Sequence, residues 1–225
     1  MFDLVATLRP DGPLTVLDLA CGPGAISVRL LDRFPDARSV AVDVDPVLLA
    51  IGQGAHGDLD GRLRWVRADL RDPDWPEALG DDGAAGTFDA ALSSTALHWL
   101  EPPVLAATYR RAAELLRHGG VLVNADHLPA PAGPLHDAMR TIDGARQERA
   151  LTGDVEDWAG WWDAVEREPA LADALAERRA LWPEGSRHWT GAGLAFHVAA
   201  LTEAGFGDVE VVWQDLEERV LAAVR

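Results

Sequence analysis

Lysine is absent from the sequence: all 20 basic residues are arginine, set against 37 acidic ones, and the formal net charge is −17. A P-loop places a lysine on the β- and γ-phosphates, a protein kinase needs one on its nucleotide, and pyridoxal phosphate needs one for its Schiff base. All three chemistries are excluded. No basic stripe interrupts the acidity, so a nucleic-acid partner, which must be met by clustered cations, is not expected. Cysteine is nearly absent too. The single Cys21 rules out an internal disulfide framework and a multi-cysteine zinc site. The other candidate ligands, His56, His118, His136 and His197 among them, show no metal-ligand spacing, and neither H-E-x-x-H nor G-x-S-x-G occurs. No apolar run approaches the roughly 18 residues that span a bilayer. The opening MFDLVATLRPDG lacks the basic and apolar regions of a signal peptide. A cytoplasmic protein with no membrane partner, monomeric or homodimeric, is the expectation.

What is present is a rhythm. LTVLDLA (14–20) and SVAVDV (39–44) are continuous apolar runs, the pattern of strands buried on both faces. RLRWVRADL (62–70) alternates and reads as a less buried strand, followed by TFDAALSS (87–94) and GVLVNADH (120–127). Between them Pro23, Pro46 and the Pro102-Pro103 pair open helical patterns, Asp45 is placed to cap the second, and His118-Gly119-Gly120 stops the third. Strand–helix alternation predicts a parallel sheet with helices on both faces. After the proline-rich LPAPAGP the rhythm changes. Residues 128–190 read as helices without strands and hold Trp158, Trp161, Trp162, Trp182 and Trp189. The pattern then resumes with a helix at 191–204, ended by Gly205, and strands at 209–213 and 218–225. The expected organisation is therefore one α/β domain, residues 1–127 and 191–225, carrying a helical insertion at 128–190.

The turn DLACGPGAIS (18–27) joins the first strand to the first helix, a position where several enzyme classes hold a nucleotide. A dinucleotide fold wants G-x-G-x-x-G there, and counting from Gly22 and Gly24 the third position is Ser27. The match that remains is Asp18-Leu-Ala-Cys-Gly22-Pro-Gly24, which resembles the first motif of the class I S-adenosylmethionine-dependent methyltransferases, with Ala20 where that family usually has glycine. Four further segments resemble the same family in order: Asp43 ending the second strand, Asp69-Leu70 ending the third, FDAALSSTALHWL (88–100), and LLRHGGVLV (115–123), in which Arg117 and His118 replace the usual lysine and proline. EAGFGDVEVVW and ERVLAAVR resemble its closing strand pair. About two thirds of the chain is covered, and the Ala-Leu-His-Trp segment at 96–99 looks like that of the trans-aconitate methyltransferase group.

The resemblance implies a seven-stranded Rossmann-like methyltransferase sheet with the last strand antiparallel beside the fifth, and a helical cap inserted after the fifth strand. It implies S-adenosylmethionine as cofactor, S-adenosylhomocysteine as product, no metal, and a small-molecule acceptor methylated on oxygen, carboxylate or hydroxyl. Asp18 is then suited to the ligand's α-ammonium, Gly22 and Gly24 to close backbone approach, Asp43 to the ribose hydroxyls and Asp69 to the adenine amino group. Ala20, Cys21, Val44, Leu70 and Ser93 complete the implied cofactor set. His98 is the candidate general base and His127 a second one. Trp99, Trp161, Trp162, Arg187 and Trp189 are candidate acceptor contacts, although Trp158, Trp161 and Trp162 at helical spacing serve equally as the cap's own packing face. Cys21 reads as a buried filler. Two other readings stay open: a protein that binds the cofactor or its product without methylating, encouraged by the short segment before the first strand, and an NAD-dependent oxidoreductase, disfavoured by Ser27.

Overall fold

The apolar runs pair as the periodicity requires. In the computed structural model, which describes residues 1–9, 12–150, 157–183 and 191–225, seven strands form one sheet in the order β3-β2-β1-β4-β5-β7-β6. The strands are β1 (Thr15–Leu19), β2 (Arg38–Asp43), β3 (Leu63–Arg67), β4 (Phe88–Ser94), β5 (Leu116–His127), β6 (Asp208–Asp215) and β7 (Glu218–Val224). The first five run parallel, and β7 lies antiparallel between β5 and β6. This is the expected Rossmann-like architecture.

Alternate residues of each strand face opposite sides and build two cores. Leu17, Leu19, Val40, Val42 and Leu122 pack with Leu105 and Tyr109 of α4 (Pro102–Leu115) and Leu201 of α8 (Leu194–Glu203). Val16, Ala41, Ala90, Leu92 and Val123 pack with Val5 of α1 (Phe2–Leu8), Leu30 and Leu31 of α2 (Ala25–Arg33), and Leu49 of α3 (Pro46–His56). The strand order reverses between β1 and β4, where an open α/β sheet forms its crevice at the carboxyl ends of the strands. No helix among the described residues is long and apolar enough to cross a membrane.

Several boundaries differ from the sequence expectation. Helix α2 begins at Ala25 rather than at Pro23, because its N-cap Gly24 takes a left-handed conformation that keeps Pro23 in the turn. Between β3 and β4, where the sequence reading assigned no element, the chain forms a 3₁₀ segment, Trp75–Gly83, broken by Gly80 with non-helical angles. Strand β3 stops at Arg67, so Asp69 and Leu70 lie beyond it. The His118-Gly119-Gly120 stretch expected to end α4 falls inside β5, as an irregularity between the Phe88–Leu116 and Ala90–Val121 pairs. Helix α4 has already ended at Leu115.

Between β5 and α8 the described residues include α5 (Pro134–Ala150), α6 (Trp158–Glu166) and α7 (Ala172–Leu181), which pack in two separate places. Val165 and Leu175 of α6 and α7 are buried against Val47 of α3, with Ile51, Trp161 and Trp162 around them. Helix α5 buries none of its side chains. It is tied to the β6–β7 turn by His136 to Glu217 at 2.7 Å and by Arg146 to Asp215 at 2.8 Å.

Candidate active site

The turn after β1 is shaped by two glycines with positive φ, Gly22 at 55° and Gly24 at 85°, and they are needed for different reasons. A Cβ on Gly22 would meet nothing closer than Leu48 Cδ1 at 3.7 Å, so this residue presents open backbone. A Cβ on Gly24 would overlap the Trp65 ring. Gly24, expected like Gly22 to serve close ligand approach, is also required by packing, since the Trp65 ring of β3 leaves no room for a Cβ. Gly24→Ala combines the left-handed penalty with that overlap and is expected to cost about 2 kcal/mol of stability in urea denaturation. Ala20 is itself left-handed, at φ 53°, the conformation for which glycine is the ordinary choice.

Asp18 ends up beneath this turn, 1% exposed. Its Oδ2 accepts from Ser27 N at 3.1 Å and Ser27 Oγ at 2.7 Å. Its Oδ1 is buried with no hydrogen-bond partner among the described residues. Burial pushes the carboxyl up to about 7, the two Ser27 bonds oppose that rise, and the nearby Asp43 adds to it. Ser27, the residue that spoils the dinucleotide pattern, is thus the partner that holds Asp18. A buried carboxylate oxygen lacking a donor fits the α-ammonium expected there.

Asp43 was expected to face ribose hydroxyls. Both of its oxygens are engaged by backbone: Oδ2 accepts from Gly22 N at 2.7 Å and Oδ1 from Asp45 N at 2.8 Å. It braces the turn against the end of β2, and burial raises its carboxyl above the usual range despite those bonds. Asp45 caps α3 through Val47 N and is itself held by Arg178 of α7 at 2.7 Å. Arg178 also lies 4.0 Å over the Trp162 ring. Asp69 is gripped by Arg71, whose Nη2 and Nε lie 2.6 and 3.0 Å from Oδ2. Ser93 donates to Leu19 O at 2.9 Å and ties β4 to β1 instead of presenting its hydroxyl. Leu70 is buried in the core and Val44 is half-buried. Cys21 is buried, which pushes its thiol up, consistent with a filler and not a nucleophile.

His98 lies in a short 3₁₀ turn, Leu97–Trp99, just past β4, and is 7% exposed. Its Nδ1 is 2.6 Å from Asp126 Oδ1, and its backbone N donates to Oδ2 of the same carboxylate at 3.1 Å. His127 N adds a third donor at 2.9 Å. Asp126, near the end of β5, is 1% exposed. A carboxylate only accepts, so Nδ1 is the donor in this pair. Sequence reasoning missed Asp126. Its signal was present as Asn124-Ala-Asp126, polar residues on one face of an otherwise apolar strand. The turn is also strained: Thr95, a β-branched residue, has φ 49° and donates its N to Ala125 O at 2.8 Å.

His98 forms part of the wall of a cavity of about 440 Å³, with Trp99, His127, Met139, Glu217 and Glu218. Trp99 is 42% exposed, its ring 5.0 Å from that of His98. The His127 ring is 5.4 Å from His98, and its Nδ1 pairs with Glu218. The cavity thus gathers His98, His127 and Trp99 at the carboxyl ends of β4 and β5, on the same sheet edge as Asp18. It does not gather Trp161 and Trp162, which pack on α3. Arg187 and Trp189 lie outside the described residues.

Sequence comparison agrees with this layout. Residues 16–120 match a family described as methyltransferase domain. The chain is 32% identical over 143 residues to a malonyl-[acyl-carrier protein] O-methyltransferase of Hahella chejuensis, covering 64% of this chain and 47% of that one. It is 33% identical over 143 residues to a trans-aconitate 2-methyltransferase of Azoarcus sp., covering 63% and 50%. The matches thus take in about half the length of these curated relatives. Among solved structures, an O-methyltransferase family protein from Burkholderia thailandensis aligns with TM-score 0.60 at 20% identity, over 100% of this chain and 55% of that one, a likeness of fold.

Proposed function

We propose, from the premise that the chain carries a methyltransferase domain of the class I S-adenosylmethionine-dependent family, that it transfers a methyl group to an oxygen of a small molecule held in the His98 cavity. S-adenosylmethionine, when bound, supplies a methyl carbon on a positively charged sulfonium. Everything else falls to the protein: binding, orientation, exclusion of water and removal of a proton. Asp18 Oδ1 receives the α-ammonium, and the open backbone at Gly22 takes the adjoining chain. Asp43 braces the turn and keeps a second lone pair on each oxygen for the ribose hydroxyls. Asp69, held by Arg71, edges the adenine.

One observation carries the assignment to catalysis. The buried His98–Asp126 pair lines a cavity on the same sheet edge as the partnerless Asp18 oxygen. A buried histidine oriented by a carboxylate at a cavity wall is an arrangement that supports catalysis over cofactor sensing. His98 is the general base and Asp126 the residue that fixes its tautomer and orientation. His127, paired with Glu218, lines the cavity as a second polar group.

Both relatives are named for carboxylate-bearing compounds, which supports an oxygen acceptor for this chain. Thermal unfolding with three ligands tests the reading. S-adenosylmethionine and S-adenosylhomocysteine are expected to raise the melting temperature and NAD to leave it unchanged, since a ligand selective for the native state must stabilise it. A shift with NAD alone would overturn the assignment.

A further inference from the structure

Helix α7 reaches the cofactor turn through a chain of hydrogen bonds. Arg178 Nε donates to Asp45 Oδ2 at 2.7 Å, and the Asp45 side chain is only 3% exposed. The backbone N of Asp45 donates to Asp43 Oδ1 at 2.8 Å, and Asp43 Oδ2 accepts from Gly22 N at 2.7 Å. The connection therefore runs without a gap from α7, across the end of β2, to the open backbone of the turn after β1. Resting on the cofactor reading above, we propose that Arg178 is a positioning residue for methyl-donor binding. Helices α6 and α7 then serve the ribose and adenine end of the cofactor, while α5 serves the acceptor.

The first reason is charge. Asp18, Asp43 and Asp45 are carboxylates buried around one corner of the crevice. Asp45 repels Asp43, and Asp43 repels Asp18. A guanidinium on Asp45 offsets that repulsion and leaves its other oxygen to cap α3 through Val47 N. Removing the guanidinium strips a buried anion of that cation, and the strand end that carries Asp43 loses its outer anchor.

The second reason is placement. Arg178 is held by aromatic faces, 4.0 Å from the centre of the Trp162 ring and 5.6 Å from that of Trp182. The Trp182 ring also lies 6.0 Å from the guanidinium of Arg71, which grips Asp69. The C-terminal end of α7 thus meets both candidate carboxylates of this side, Asp43 through Asp45 and Asp69 through Arg71. Burial of Val165 and Leu175 against Val47 fixes the helix pair on α3. The neighbouring Arg67–Glu177 pair, at 2.5 Å, marks the same register, but both partners are about half exposed and solvent screens it. By contrast, α5 lines the acceptor cavity through Met139 and Asp143. Coupling of this kind is reciprocal: what Arg178 contributes to donor affinity, the bound donor returns to the docking of α6 and α7.

Calorimetry of S-adenosylhomocysteine on the intact chain comes first. If it does not bind, the cofactor reading fails and this inference with it. Arg178→Gln is expected to weaken that binding about tenfold or more, on protein shown to be folded by its melting transition. Arg178→Lys, which keeps the charge, is expected to lose less. Glu177→Gln, which breaks the exposed pair one residue away, is expected to stay within about twofold of the native affinity. Hydrogen exchange on the native protein needs no variant. S-adenosylhomocysteine is expected to slow exchange across residues 158–181 and to leave residues 134–150 unchanged. Unchanged affinity in Arg178→Gln, with or without a lower melting temperature, makes the residue merely structural and overturns the proposal. So does an equal loss in Glu177→Gln, a lysine variant as weak as the glutamine one, or exchange that slows in 134–150 and not in 158–181. Each of these leaves the cofactor result standing.

Discussion

Replacing His98 with alanine is expected to lower kcat by between about a hundredfold and ten thousandfold, with S-adenosylhomocysteine affinity changed by no more than about twofold. The separation follows from geometry. His98 lines the acceptor cavity at the ends of β4 and β5, whereas the residues assigned to the methyl donor cluster at the ends of β1, β2 and β3. Asp126→Asn should cost about tenfold to a hundredfold in kcat with little change in KM. An amide in that position can present its NH₂ to the ring and favour the wrong tautomer, which leaves Nε2 protonated and unable to accept. Because Asp126 also accepts from the backbone nitrogens of His98 and His127, a purely structural role is the competing account. Parallel measurement of kcat, KM and melting temperature separates them. A structural residue would lower stability and raise KM in step with the fall in kcat. If His98→Ala leaves kcat intact on a folded protein, the base assignment is wrong.

How much of this was legible beforehand depended on which force set each feature. The sheet was legible because buried parallel strands must be continuously apolar, as LTVLDLA and SVAVDV are, and helices between them must repeat near four residues. The place of β7 between β5 and β6 came from resemblance, since no local pattern records which edge a strand joins. Backbone conformation was less accessible. Pro23 is a plausible helix opener by composition, and only the left-handed Gly24 defers the helix to Ala25. The insertion was recognisable as helical but not as divided, because a helix's apolar stripe does not name its partner: Trp161 and Trp162 have the spacing of a packing face, and that face meets α3.

The candidate cofactor residues were read from motifs, and the structure shows protein partners for several of them. Asp43, Asp69 and Ser93 are each occupied by a protein partner, a contact between residues far apart in sequence or across a turn that spacing does not reveal. Asp126 was passed over for the opposite reason, although Asn124 and Asp126 mark one face of the strand as polar. A charged residue near a strand end ordinarily faces water, and only the return of the chain after β4 encloses it. Ser27, read as a defect in a glycine pattern, meets Asp18 from the first turn of α2.

Asp18→Asn is expected to weaken S-adenosylmethionine and S-adenosylhomocysteine by about a hundredfold, and to abolish a pH dependence that the native protein should show. A charge-assisted bond from a buried carboxylate is worth more than one in water, and the amide that replaces it loses the charge. The pH dependence has a definite sign. Burial raises the Asp18 carboxyl from 3.8 to about 7 in the free protein. The folded state therefore holds a proton that the unfolded chain has released, so the stability contributed by this group is fully present below about 4 and is lost as pH rises through 7. Ligand binding works the other way. An ammonium selects the ionised carboxylate, so affinity should climb as pH rises through 7, by about tenfold between pH 6 and pH 8, with proton release on binding at the lower pH. Calorimetry in two buffers of different ionisation enthalpy measures both quantities at once. Equal affinity at the two pH values with no proton released would mean that the ammonium is received elsewhere and that the partnerless Oδ1 is not its site. Retention of the slope in Asp18→Asn would assign the titration to another group, with Asp43, also raised by burial and bonded to Gly22, the next to test.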